Sequence, residues 1–114
     1  RARPCAALAE ASLATTGPHY FDAHDGEHFM ALAAQTAHKR MIFGGDCYNY
    51  ALLASGHIDL VVEAGLKLYD YAALVPIVEG AGGMMTDSTA AARMMAATSS
   101  RWGTPPGSKT CWRR

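Results

Sequence analysis

Apolar and polar positions fall in short blocks whose period switches between strand and helix along the chain. Ser12–Thr16 is a β-prone run closed by Gly17-Pro18. After Asp25-Gly26, the residues Phe29, Leu32, Ala33 and Thr36 recur at i, i+3, i+4, i+7, which predicts a helix of about a dozen residues with one buried face. His38, Lys39 and Arg40 would occupy its last turn, where positive charge suits the negative end of the helix dipole. Met41-Ile42-Phe43 reads as a short buried strand ending at Gly44-Gly45. Asp46 is placed to cap the next helix, which would bury Cys47, Tyr50, Ala51 and Ala54 and stop at Gly56. Ile58–Val62 carries the strongest strand signal. A loop through Gly65 and Lys67 then reaches Asp70, a second helix cap. The helix behind Asp70 aligns Tyr71, Leu74, Val75 and Val78, ends in the Gly80–Gly83 cluster, and should bend at Pro76, whose ring removes a hydrogen bond. Gly83–Thr86 forms a last strand, and Asp87 starts a turn.

Strands joined by helical crossovers predict α/β layers. In such sheets polar ligands gather at strand ends. Asp46, Glu63 and Asp70 each stand just past a predicted strand or at a helix start, which makes them candidate site residues.

The pattern breaks after Asp87. Residues 88–114 contain no Leu, Ile, Val or Phe, too little apolar surface to offset their ordering entropy, so this stretch is expected to be a disordered tail. The division is therefore an α/β unit at 1–87 and an aberrant tail at 88–114. Charge divides the same way. Residues 1–87 hold five Lys/Arg against ten Asp/Glu, whereas 88–114 hold five basic residues and no acid. One reading of that asymmetry is a non-catalytic module with a basic nucleic-acid- or partner-binding arm, whose binding would be strongly salt-dependent.

The whole chain has 114 residues, half of them hydrophobic and 18% charged, with no net charge, which suits one small domain with a single core and excludes a fibre. The apolar runs are short and interrupted, which excludes a membrane span among them. Arg1 to Glu10 lacks the apolar stretch of a secretory leader. Cys5, Cys47 and Cys111 are odd in number and lack metal-ligand spacing, as expected of free thiols in a reducing cytoplasm. His24 and His28 lie at i, i+4 without a third nearby ligand, so the wet side of a helix is expected rather than a zinc site.

The segment from Gly44 to Gly83, GGDCYNYALLASGHIDLVVEAGLKLYDYAALVPIVEGAGG, resembles the second signature region of the inositol monophosphatase superfamily. In that superfamily a Trp-Asp pair opens a helix running to a Gly-Gly turn, and the Asp is a metal ligand. Here the pair is Tyr69-Asp70, with Gly82-Gly83 at the matching distance. The resemblance covers roughly residues 5–87 and implies the C-terminal layered half of the inositol monophosphatase / sugar phosphatase fold. It further implies a Mg²⁺-dependent phosphomonoesterase, a small phosphorylated metabolite as substrate and a homo-oligomeric parent enzyme. Asp70 would be a metal ligand, and Glu63, at the end of DLVVE, would meet the part of the substrate away from phosphate. Asp46 in GGDCYNY, where inositol-specific members carry small residues, together with VVEAGLK, is similar to the histidinol-phosphatase branch. Histidinol phosphate carries an ammonium and an imidazole, which two carboxylates would pair through charge-assisted hydrogen bonds. An inositol ring carries only hydroxyls, so an inositol or sugar monophosphatase is the alternative within the family. Tyr48 and Asn49 are candidate pocket residues and Tyr50 is core by periodicity. Arg40 is open between attracting phosphate and being a surface charge.

The family's DPxDGT-type motif and water-activating Glu/Thr pair are not found in these residues; Asp22, Asp25 and Asp59 have the wrong neighbours. One carboxylate of a polynuclear site binds Mg²⁺ weakly, because the ion gives up water reluctantly. These 114 residues alone are therefore expected to be inactive. Read one base back, with G or C at the free third positions, the tail from Ser88 becomes LDGRRAHDGRDVVALGDPARLEDVLAA, which has the family's turn, strand and last helix. A single-base deletion after the Asp87 codon is expected, with a final strand and helix lost and a sheet edge left uncovered.

Overall fold

The computed structural model describes residues 1–37, 40–64, 69, 72–88 and 93–97. Strands β1 (Leu13–Thr15), β2 (Ile42–Phe43), β3 (Leu60–Glu63), β4 (Met84–Ser88) and β5 (Arg93–Ala97) form one sheet in the order β2-β1-β3-β5-β4. β1 runs parallel to both β2 and β3, while β5 is antiparallel to β3 and β4. Helices α1 (Ala23–Ala33), α2 (Tyr48–Ala54) and α3 (Leu74–Gly80), with short 3-10 turns at Leu8–Glu10 and Pro18–Tyr20, are the other described elements.

Strand alternation sorts the core into two layers. Leu13, Leu60 and Val62 pack with Phe29, Leu32 and Ala33 of α1. Ala14 and Val61 pack on the other side with Tyr50, Leu53, Val78 and Met85. β3 is buried along its whole length, as a strand covered on both faces should be. The α/β layering expected from the sequence is therefore present.

Several local expectations differ. Helix α1 starts at Ala23, earlier than Asp25-Gly26 suggested, because Asp22 caps it: its Oδ1 accepts the Asp25 N–H at 2.7 Å. The helix also ends at Ala33. Thr36 is still buried, but in the following turn, where its Oγ1 donates to the Ala33 carbonyl at 2.9 Å. Arg40 is exposed and donates to the Glu10 carbonyl at 3.2 Å, and His38 and Lys39 lie outside the described residues. His24 is exposed and His28 half-buried, with their rings in edge contact at 4.2 Å.

Strand β2 is not the buried strand expected. It lies at the sheet edge, and Phe43 is 57% exposed. In α2 the buried face is Asn49, Tyr50 and Leu53, whereas Cys47 and Ala51 are exposed. Helix α3 begins only at Leu74, so Pro76 falls in its first turn, where the missing N–H would have had no helical partner. That removes the expected bend. Leu74, Val75 and Val78 do face inward, and Tyr71 lies outside the described residues.

Asp87, expected in a turn, is in β4 and pairs with Met94 of β5. β5 itself lies in the stretch expected to be disordered, and it pairs with both β3 and β4. Ladder bonds are made by backbone, which almost any side-chain sequence supplies. The rest of the tail lies outside the described residues. Among those described, no helix is long and apolar enough to cross a membrane.

Candidate substrate-binding site

β1 and β3 lie in parallel register, with Leu13 opposite Leu60 and Ala14 opposite Val61. The register sets Ser12 beside Asp59 at one end and Thr16 beside Glu63 at the other. Both pairs are 47 residues apart and share one motif, in which a hydroxyl residue gives its backbone N–H and its side chain to a single carboxylate oxygen.

At the first end the carboxylate is saturated. Asp59, 1% exposed, accepts from Ser12 N–H at 2.8 Å and Ser12 Oγ at 2.9 Å. Arg3 then closes the site, with Nε on Oδ1 at 2.6 Å and Nη2 on Oδ2 at 2.5 Å. Burial alone would push the Asp59 carboxyl up, but Arg3 and Ser12 outweigh it and hold it below its ordinary value.

At the second end Glu63 is 4% exposed, and its Oε1 accepts from Thr16 N–H at 2.9 Å and Thr16 Oγ1 at 2.6 Å. Among the described residues no cation completes it. Burial pushes the Glu63 carboxyl up, the Thr16 bonds only partly oppose that, and the nearby Asp46 charge adds to the rise. The structure thus brings Glu63 and Asp46 within each other's field, on the same side as α2.

Asp46 reaches that position through an unusual turn. Gly44, Gly45 and Asp46 follow one another at φ of 83°, 95° and 44°, all left-handed. Glycine tolerates this freely, and Asp is among the few side chains that accept it. Asn49 clamps the turn: Nδ2 donates to the Gly44 carbonyl at 2.8 Å, and its amide packs so tightly that a Cβ on Gly45 would lie 2.5 Å from Oδ1. Asp46 is not the expected cap of α2. Cys47 holds the capping position without a side-chain bond, which leaves the exposed Asp46 carboxylate available.

Tyr48 is 64% exposed, while Asn49 is buried and structural rather than part of an open pocket. Tyr50 is core, as its periodicity indicated, but its buried hydroxyl has no hydrogen-bond partner among the described residues. Asp70 lies outside the described residues. Among those described, no three His, Cys, Asp or Glu side chains form a metal-binding group, so Asp46 and Glu63 alone do not fit a Mg²⁺ cage. Cys5 and Cys47 are free thiols.

Sequence reasoning missed Thr16 and the Tyr50 hydroxyl. A signal for Thr16 was present, since SLATT and DLVVE each carry polar residues four apart, and in-register pairing matches hydroxyl to acid at both ends.

Comparison with known proteins agrees on one family. The family model described as "Inositol monophosphatase family" matches residues 3–110. The chain is 47% identical over 98 residues to the bifunctional phosphatase IMPL2, chloroplastic, of Arabidopsis thaliana, covering 86% of this chain and 28% of that protein. It is 46% identical over 43 residues to a histidinol-phosphatase of Chlorobaculum parvum, covering 38% of this chain and 17% of the other. Among solved structures, an inositol monophosphatase from Zymomonas mobilis superposes with a TM-score of 0.79 at 48% identity, over 85% of this chain and 40% of that one. The chain thus spans less than half the length of these relatives.

Proposed function

Since the chain belongs to the inositol monophosphatase family, we propose that it is the substrate-reading part of a Mg²⁺-dependent phosphomonoesterase for a cationic phosphate ester of the histidinol phosphate type, acting in histidine biosynthesis. One observation carries this reading. Glu63 has the same hydroxyl-residue grip as Asp59 but, among the described residues, no guanidinium such as completes Asp59, and a second acid, Asp46, adds negative charge nearby. An ammonium or imidazolium would supply what Arg3 supplies at the other end, through charge-assisted hydrogen bonds. The likeness to a histidinol-phosphatase supports the same substrate class.

Asp70 is proposed as the Mg²⁺ ligand of this chain, the rest of the site coming from outside it. The chemistry Mg²⁺ supplies in such enzymes is polarisation of the ester and acidification of a water. Glu63 and Asp46 would orient the alcohol portion of the substrate. Residues 1–114 alone are proposed to be inactive, and metal-dependent phosphate release from them would overturn that. The tail is proposed to be out of frame after Asp87, which resequencing of the DNA tests directly.

The substrate reading is tested by titrating the chain with L-histidinol, with myo-inositol as the uncharged control, and following the Asp46 and Glu63 carboxyl resonances. The expected result is a saturable shift with histidinol only. Equal responses to both, or none to histidinol, would refute the cationic-substrate assignment.

A further inference from the structure

Ser12 and Thr16 grip their carboxylates alike, but their carbonyls lead to different places. The Ser12 carbonyl accepts from the N–H groups of Asp59 and Leu60 at 3.3 and 3.1 Å, so it returns to the strand that Ser12 already holds. The Thr16 carbonyl instead accepts the Gly44 N–H at 2.9 Å, which the Thr15 carbonyl shares at 3.1 Å. Gly44 opens the left-handed turn that carries Asp46, and its own carbonyl is held by Asn49 Nδ2 at 2.8 Å. A continuous hydrogen-bonded path therefore runs from Asn49 through Gly44 and Thr16 to Oε1 of Glu63. We propose that Thr16 is the positioning residue of the site, holding the Glu63 carboxylate and the Asp46 turn in one fixed arrangement.

Each polar group of Thr16 has its own task. The hydroxyl at 2.6 Å and the N–H at 2.9 Å both fix one oxygen of Glu63, and so restrain the carboxylate from turning. The same grip at Asp59 leaves Oδ1 to the Nε of Arg3, and at Glu63 it leaves Oε2 for a ligand. The carbonyl ties this restrained group to the turn two residues before Asp46. Among the described residues, the titratable groups near Glu63 are Asp46, from that turn, and Tyr50 of α2, a phenol that burial keeps neutral. Met94, opposite on β5, carries no charge.

This inference rests on the cation-reading role proposed above, yet its test needs no ligand. The Glu63 carboxyl is titrated by NMR in the 114-residue chain, with and without Asp46→Asn. The fall in midpoint on that substitution measures how firmly the two carboxylates are held together, and its absence from the parent chain overturns the proposal. Thr16→Val removes the hydroxyl and keeps the shape. It should raise the Glu63 midpoint by about one pH unit and cut the Asp46→Asn effect by roughly half. Thr16→Ser should restore both, and Ser12→Ala, the same loss at the other end, should move neither. A merely structural Thr16 would lower the melting temperature and leave the Asp46→Asn effect at its parental size. An undiminished effect in Thr16→Val, or failure of Thr16→Ser to restore it, overturns the proposal. Should Thr16→Val not fold, the parent chain decides: the Thr16 and Gly44 amide resonances should both follow the Glu63 titration with one midpoint, and a Gly44 amide indifferent to it overturns the proposal. If the Asp46→Asn effect shrinks in Thr16→Val while histidinol does not bind the parent chain, the substrate reading fails and the positioning role stands.

Discussion

The two ends of the β1–β3 pair carry the same arrangement with opposite electrostatic outcomes. Asp59 and Glu63 are both nearly inaccessible, and each is gripped by the N–H and hydroxyl of a strand residue 47 positions earlier. Arg3 completes Asp59 and lowers its pKa; Glu63 has Asp46 for a neighbour and its pKa is raised. The first end is a structural staple that fastens the N-terminal segment to the sheet. At the second end, among the described residues, no cation completes the same grip, the feature on which the proposed cation-binding role rests. Burial and hydrogen bonding are thus alike at the two ends; among the described residues it is the counter-charge that differs.

The comparison is most exposed to failure at Asp59. Asp59→Asn breaks a buried ion pair and should cost about 3 kcal/mol, the low end of the usual range because Arg3, 39% exposed, can turn to water. Urea denaturation measures it. A loss of the same size from Glu63→Gln would erase the distinction between the ends.

Asn49→Ala should cost about 1 kcal/mol in the same assay, through loss of the bond to the Gly44 carbonyl. It should also loosen the turn that holds Asp46, so the Glu63 titration would move back toward its ordinary value. An unchanged Glu63 titration would mean that Asp46 is not held beside it by this turn.

Glu63→Gln keeps an acceptor for Thr16 and removes the repulsion from Asp46. Its stability should stay within about 1 kcal/mol of the parent, neutral or improved.

The smallest effect is a difference in pH dependence. Asp59 has its folded pKa below the ordinary 3.8, so its contribution is full above 3.8 and is lost as pH falls through the lower folded value. Glu63 has its folded pKa above the ordinary 4.5, so the folded chain holds that proton more tightly, and stability declines as pH rises from 4.5 through the raised value. In thermal melts across pH, Glu63→Gln should flatten only the upper limb and Asp59→Asn only the lower one. Both variants flattening the same limb would show that the two carboxylates are not opposites.

Much of this was legible in the chain. The strand at 58–62 and the inward face of Phe29, Leu32 and Ala33 came from local periodicity, and both are core in the structure. The buried face of α2 was misread because a helical period gives spacing but not phase. The three left-handed residues Gly44, Gly45 and Asp46 postpone the helix start to Tyr48, which rotates Cys47 outward and Leu53 inward. Pro76 posed a difficulty only while one helix was assumed to run from Asp70; a start at Leu74 removes it. The tail was read from side chains, yet Arg93–Ala97 joins the sheet through its backbone.

By itself the sequence determined which residues could carry chemistry, the family motif from Gly44 to Gly83, and the layering of strands with helices, because those depend on residue type and local spacing. Only the tertiary structure decided that, among the described residues, Glu63 is buried without a cation while Asp59 is buried with one. Arg3 and Asp59 are 56 residues apart, and no local pattern encodes which of two similar carboxylates a distant guanidinium will reach. That choice follows from strand register and from the path of the N-terminal segment, both set by packing of the whole chain.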